Sequence, residues 1–167
     1  MIKFLDIAKQ DSMISSLILA DLKKIINKNN FILGEEVDIF EKKFAKYCDA
    51  KYAISCANGT DALMIALKSL NLPKDSEVII PAMTYCSTAF AVLNCGFKPV
   101  LVDLQKDSPT IDVSKIEKSI TNKTRVIIPV HLYGSVVDIN KIRSMIINKK
   151  WDLCLIFLVL AFIQVKI

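Results

Sequence analysis

Three short segments carry residue types that could do chemistry. The first is Ala57-Asn58-Gly59-Thr60-Asp61. An apolar β-type run precedes it and a helical run follows, so the segment should open a helix. Backbone N–H groups at such a start have no intrahelical partner and carry partial positive charge. A phosphate can take both, Gly59 permits close backbone approach, and the Thr60 hydroxyl can donate. A plain helix cap by Asn58 or Thr60 explains the same residues. The segment is neither a P-loop nor a dinucleotide fingerprint, because GxxxxGK[ST] and GxGxxG are both absent.

The second segment is Pro81-Ala82-Met83-Thr84-Tyr85-Cys86-Ser87-Thr88, where Tyr85 could lay its ring against a flat ligand or simply pack in the core. The third is Pro129-Val130-His131-Leu132-Tyr133-Gly134, which holds the only histidine. A lone histidine is more often structural than a ligand, and both readings stay open. Each segment follows a β-type run, and ligands of open α/β sheets sit outside the carboxyl ends of the strands.

The elements that must position these segments read as alternating strands and helices. Helices are expected over 12–27, with Leu17, Ile18, Leu22 and Ile25 in phase, and from Glu35 to about Tyr47. Further helices are expected over 60–70, 87–94, 112–120 and 138–147. Strands are expected over 52–56, 77–80, 99–102, 125–130 and 153–160. Asp112 and Asp138 serve as N-caps, and Gly96 suits a C-terminal cap. Strands alternating with helices predict an α/β fold, a three-layer αβα sandwich with a mostly parallel sheet.

Composition narrows the function classes. The chain of 167 residues is 53% hydrophobic and 23% charged, which argues for a packed domain rather than disorder. The net charge of +5 comes from basic residues dispersed singly and in pairs, with no aromatic-interleaved patch, so nucleic acid is not an expected partner. Five cysteines without a CxxC pair, and one histidine, give little material for a metal site. They suit idle thiols in a reducing cytoplasm. The N-terminus lacks the apolar stretch of a signal peptide. The run 153–163 is uninterruptedly apolar but falls short of the ~20 residues that span a bilayer. No membrane association is expected.

Taken in order, the motifs resemble the DegT/DnrJ/EryC1/StrS family of pyridoxal-phosphate-dependent sugar aminotransferases. The similarity starts at Phe31-Ile32-Leu33-Gly34-Glu35-Glu36-Val37, passes through Asn58-Gly59-Thr60-Asp61-Ala62-Leu63, Pro81-Ala82-Met83-Thr84-Tyr85 and Val102-Asp103, and includes Pro129-Val130-His131-Leu132-Tyr133-Gly134. The resemblance implies the major domain of a fold type I PLP-dependent transferase, in truncated form, with residues 1–150 as its N-terminal part. It implies that Asn58, Gly59 and Thr60 bind the phosphate of pyridoxal 5'-phosphate, that Tyr85 stacks on the pyridine ring, and that His131 lies on the substrate side. It also implies a cytoplasmic homodimer, a nucleotide-linked keto-sugar as substrate, and an amino-acid donor, typically glutamate. The pathway would be polysaccharide or glycosylated-metabolite biosynthesis.

The resemblance breaks after about Lys150. The family pattern has a strand running into an aspartate that binds the pyridine nitrogen, whereas this sequence has Leu158 near that place and no acid after Asp152. The Schiff-base lysine, which lies further on in the family, has no counterpart, and Lys166 has no motif around it. Residues 151–167 therefore read as an aberrant, possibly out-of-frame end. No catalytic residue is assigned, and the chain alone is expected to be inactive. The alternative is a non-catalytic regulatory protein that binds pyridoxal phosphate or a phosphosugar.

Overall fold

The computed structural model describes residues 7–149, 153–159 and 162–166. They fall into two compact units, Met1–Ser55 and Cys56–Ile167.

The first unit is helical. α1 (Ile7–Lys28) ends where Asn29 turns left-handed at φ 51°, as the Asn29-Asn30 break predicts. α2 (Glu35–Tyr47) starts with Glu35, Glu36 and Asp38 on its positively polarised end. An ion pair from Lys28 Nζ to Glu35 Oε2, at 2.9 Å, ties the two helices. Leu17, Ile18 and Leu22 of the α1 stripe are exposed, as are Phe31, Ile32 and Leu33 between the helices.

The strand expected over 52–56 does not form. A strand needs a neighbour to take its N–H and C=O groups. Among the described residues none pairs with this segment, and the Ser55 N–H donates to Glu41 Oε1 instead.

The second unit is the three-layer sandwich. Its elements are α3 (Gly59–Ser69), β1 (Glu77–Pro81), α4 (Ser87–Asn94), β2 (Lys98–Val102), α5 (Val113–Ser119), β3 (Thr124–Ile127), β4 (Val130–His131), α6 (Ile139–Asn148), β5 (Cys154–Val159) and β6 (Phe162–Lys166). β2, β1, β3 and β5 lie side by side and parallel.

The single strand expected over 125–130 is broken into β3 and β4. Pro129 has no N–H to give to the ladder. Both pieces pair with β5 in one continuous register, Val126↔Cys154 and Ile127↔Leu155 before the break, Val130↔Leu158 and His131↔Val159 after it. The strand expected over 153–160 forms as β5, and a further strand, β6, pairs antiparallel to it.

Successive strand residues alternate between two apolar faces. Val78, Ile80, Val126 and Ile128 pack with Leu63, Leu67 and Val92 of α3 and α4. Ile79, Ile127 and Val102 pack with Ile116 and Ile142 of α5 and α6. Burial on both faces explains why these strands read as continuous apolar runs. Each helix leads into the next parallel strand, so the N-termini of α3, α4, α5 and α6 all lie at the carboxyl edge of the sheet.

The opposite edge is fastened by Glu77, only 7% exposed. Its Oε2 accepts from Thr121 Oγ1 at 2.5 Å and from Thr124 Oγ1 at 3.4 Å, with Lys98 Nζ 3.7 Å from Oε1. The Thr121 hydrogen bond, helped by Lys98, holds this carboxyl below its usual value of 4.5 against the opposing effect of burial. A depressed folded-state pKa stabilises the fold above the unfolded value and loses that contribution as pH falls through the folded one. Urea midpoints measured from about pH 6 to about pH 3 should therefore fall with acid, and the fall should be shallower in Glu77→Gln.

Candidate functional site

Asn58 is the N-cap of α3. Its backbone is extended (φ −161°), its Oδ1 accepts from the Asp61 N–H at 3.0 Å, and its Nδ2 donates to Asp61 Oδ2 at 2.8 Å. The Ala62 N–H goes to the Asn58 carbonyl at 3.0 Å. Such a cap contributes about 1 kcal/mol. Both polar atoms of the Asn58 side chain are thus engaged within the helix start. The first-turn donors left without a partner among the described residues are the Gly59 and Thr60 N–H groups.

Gly59 itself meets no demand of the fold. Its φ is not left-handed, and a Cβ built on it would meet no atom within 4 Å. Two N–H donors without a partner among the described residues, beside a half-buried threonine hydroxyl, form a cup suited to an anion.

The loop after β1 is braced at both ends. The Ala82 N–H donates to the Val102 carbonyl at 2.8 Å, and Thr84 Oγ1 meets Thr88 Oγ1 at 2.9 Å, the latter residue fully buried. That bracing leaves Tyr85 projecting, 68% exposed. Met83, Thr84, Tyr85, Leu132 and Tyr133 line a cleft of about 210 Å³. The second and third sequence segments therefore meet in one recess. Asn58, Gly59, Thr60 and His131 do not line it, although the α3 cup opens at the same edge of the sheet.

His131 is half-buried at the end of β4, and its Nδ1 accepts from the Val137 N–H at 3.0 Å. Burial lowers its pKa from the usual value, which favours the neutral ring that this bond requires. Tyr133 had no role assigned from sequence. The signal was its place before Gly134 at a strand end, where a tight turn can aim a side chain outward.

Leu158 pairs with Val130, so the position where the resemblance expects an aspartate does sit at this carboxyl edge. Lys166 pairs with Leu155, three residues back along β5, or ~10 Å from that level. A second recess, of about 330 Å³, is walled by Asp112, Ser114, Asp138 and Lys141. Its two carboxylates are engaged as the caps of α5 and α6.

The sequence model of the DegT/DnrJ/EryC1/StrS aminotransferase family matches residues 12–157. The chain belongs to this family. The match runs past Lys150 into β5. Among relatives of this aminotransferase-family chain, the UDP-2-acetamido-2-deoxy-3-oxo-D-glucuronate aminotransferase of Pseudomonas aeruginosa is 41% identical over 144 residues, which are 86% of this chain and 40% of that protein. In three dimensions the chain is similar to DesV of S. venezuelae, with a TM-score of 0.87 and 33% identity over 93% of this chain and 42% of that one. It is similar also to the Bacillus subtilis protein ntda, solved with bound cofactor PMP, with a TM-score of 0.80 and 38% identity over 84% and 32% of the two chains. The family member described here thus spans about two fifths of the length of the first curated relative. No helix among its described residues is long and apolar enough to cross a membrane.

Proposed function

We propose that residues 1–150 are the N-terminal part of the large domain of a pyridoxal-phosphate-dependent sugar aminotransferase, and that the carboxyl edge of their sheet holds the cofactor. The observation that carries this reading is the pair of N–H groups at Gly59 and Thr60 without a partner among the described residues, at the start of α3 where a Cβ on Gly59 would meet no atom within 4 Å. The donor set fits a phosphate monoester. Gly59 N–H, Thr60 N–H and the Thr60 hydroxyl bind the phosphate. Asn58 holds those donors in place through Asp61 rather than touching the phosphate itself. Tyr85, fixed by the Thr84–Thr88 brace, takes the pyridine ring. His131, at the end of β4, lies on the substrate side.

Bound pyridoxal phosphate supplies an electron sink for carbanion chemistry at an amino carbon. In the whole protein the amino group would pass from glutamate to a nucleotide-linked keto-sugar, in a homodimer. The named relative supports the sugar-nucleotide part of that reading, being an aminotransferase for a UDP-linked oxo-sugar. For the chain by itself the proposal is binding without turnover. Leu158 offers no acid to a pyridine nitrogen. The departure from an active relative begins near Leu158, just past the matched span, where the family's aspartate is lost.

Titration with pyridoxal 5'-phosphate, and with pyridoxal lacking the phosphate, tests the reading. The phosphorylated form should bind saturably and reversibly, at least about tenfold more tightly than pyridoxal, the difference that one or two charge-assisted hydrogen bonds supply. Borohydride reduction followed by peptide mapping should label no single lysine. Equal affinity for the two ligands would remove the phosphate cup from the proposal, and stoichiometric labelling of one lysine would remove the claim of binding without turnover.

A further inference from the structure

The turn after β4 is unusual for its residues. The Ser135 N–H donates to the Leu132 carbonyl at 2.9 Å, closing a four-residue turn. Its two central residues are both left-handed, Tyr133 at φ 52° and Gly134 at φ 80°. That is a type I′ turn, which favours Asn-Gly at its centre. Glycine adopts this conformation freely, but a bulky residue with a Cβ does not. Sparsely populated backbone of this kind persists only where the surroundings over-determine it, and it clusters at functional sites.

The surroundings here are specific. Leu132 and Val137 are buried on either side of the turn. The His131 imidazole bridges the turn's base by accepting the Val137 N–H at Nδ1. The strained residue is the one whose side chain, 79% exposed, walls the cleft that also carries Tyr85. A turn built only to connect β4 to α6 would do so with less strain from an asparagine at this position.

We propose that His131 is a positioning residue: by accepting the Val137 N–H it holds the 132–135 turn in the left-handed form that keeps Tyr133 on the cleft wall, where Tyr133 is a second aromatic contact for a flat heterocyclic ligand. This rests on the reading of the cleft as the recess for the pyridoxal ring. The bond requires the neutral imidazole with its proton on Nε2. Burial of the ring works in the same direction.

Because His131 is the only histidine, its imidazole nitrogens give one set of signals in a ¹⁵N-labelled sample of the whole chain. At neutral pH they should show the Nε2–H tautomer. His131→Asn keeps an acceptor at the δ position and His131→Leu removes it. The leucine variant should bind pyridoxal 5'-phosphate about tenfold more weakly, and the asparagine variant should recover most of that loss, as one hydrogen bond's worth of positioning predicts. Tyr133→Asn, which suits a left-handed backbone, should hold or raise the urea midpoint while binding falls about tenfold.

An Nδ1–H tautomer, an asparagine variant no better than leucine, or unaltered binding by Tyr133→Asn would each overturn the proposal. If the unmodified chain takes up no pyridoxal phosphate, the cofactor reading fails separately. The latch is then decided by Val137 amide exchange and the Tyr133 ring resonances. Exchange protection and ring order lost in His131→Leu and kept in His131→Asn support it, and values unchanged across all three proteins refute it.

Discussion

Replacing Gly59 by alanine is expected to weaken pyridoxal 5'-phosphate binding about tenfold, and replacing it by valine at least about a hundredfold, without loss of stability in the alanine variant. What the fold needs at this position differs from what a ligand needs. The Gly59 backbone lies outside the left-handed region, and a Cβ there meets nothing within 4 Å. Alanine is therefore compatible with the native conformation. It also restricts the unfolded chain, an effect worth about 0.4–1 kcal/mol in favour of folding.

The Cα–Cβ bond of a helical residue tilts toward the helix N-terminus. At the first residue of α3 a side chain therefore projects into the space above the Gly59 and Thr60 N–H groups, where the phosphate would sit. Losing one or two charge-assisted hydrogen bonds, or lengthening them, accounts for the tenfold and hundredfold figures, since each ~1.4 kcal/mol is a factor of ten. Urea denaturation and ligand titration on the same samples check both halves. An alanine variant that is destabilised but binds normally would mean that the glycine serves the fold after all.

The second large effect is on the sheet that carries the site. Ile79→Ala is expected to destabilise the second unit by about 2–5 kcal/mol, the range for deleting a fully buried branched side chain whose surroundings cannot collapse. Ile79 is fully buried, paired to Val100 on one side and Ile127 on the other, and packed in the face covered by α5 and α6. Domains hold about 5–15 kcal/mol in total, so the loss is a large share. It should appear as a lower urea midpoint with an unchanged slope. The control is Ile54→Ala, at a side chain 83% exposed, which should shift stability by no more than about 0.5 kcal/mol. Ile79 lies two residues before Pro81, so partial loosening of β1 should also weaken ligand binding through the Tyr85 loop.

Much of the chain was legible as sequence because its punctuation is local. Asn58, Asp112 and Asp138 cap α3, α5 and α6 where their spacing to the apolar runs predicts, and Gly96 turns left-handed just after α4. A cap needs only its own side chain and the next three residues, so no distant partner can overrule it. The run 77–80 forms a strand buried along its whole length, a demand that shows directly in composition, whereas the edge strand over 99–102 leaves Leu101 exposed.

What failed in the sequence reading depended on partners. Residues 52–56 have the composition of a strand, but a strand is a statement about a neighbour, and none among the described residues supplies one. The Pro129 break was present in the sequence and was outweighed there by the apolar run around it. The β5–β6 hairpin was hidden because an unbroken apolar stretch does not say where it folds back on itself.

The candidate site divides the same way. By itself the sequence determined that a helix opens at Asn58-Gly59-Thr60, that Tyr85 and His131 follow β-type runs, and that the motifs are those of the aminotransferase family. Only the tertiary structure decided that Asn58 is engaged as a cap, that the Gly59 and Thr60 N–H groups have no partner among the described residues, and that Tyr85 shares its cleft with Tyr133 while His131 accepts the Val137 N–H. The reason is physical. Residue type sets what a group can donate or accept, but whether that capacity is already used depends on which atoms, from distant parts of the chain, the fold brings within about 3 Å.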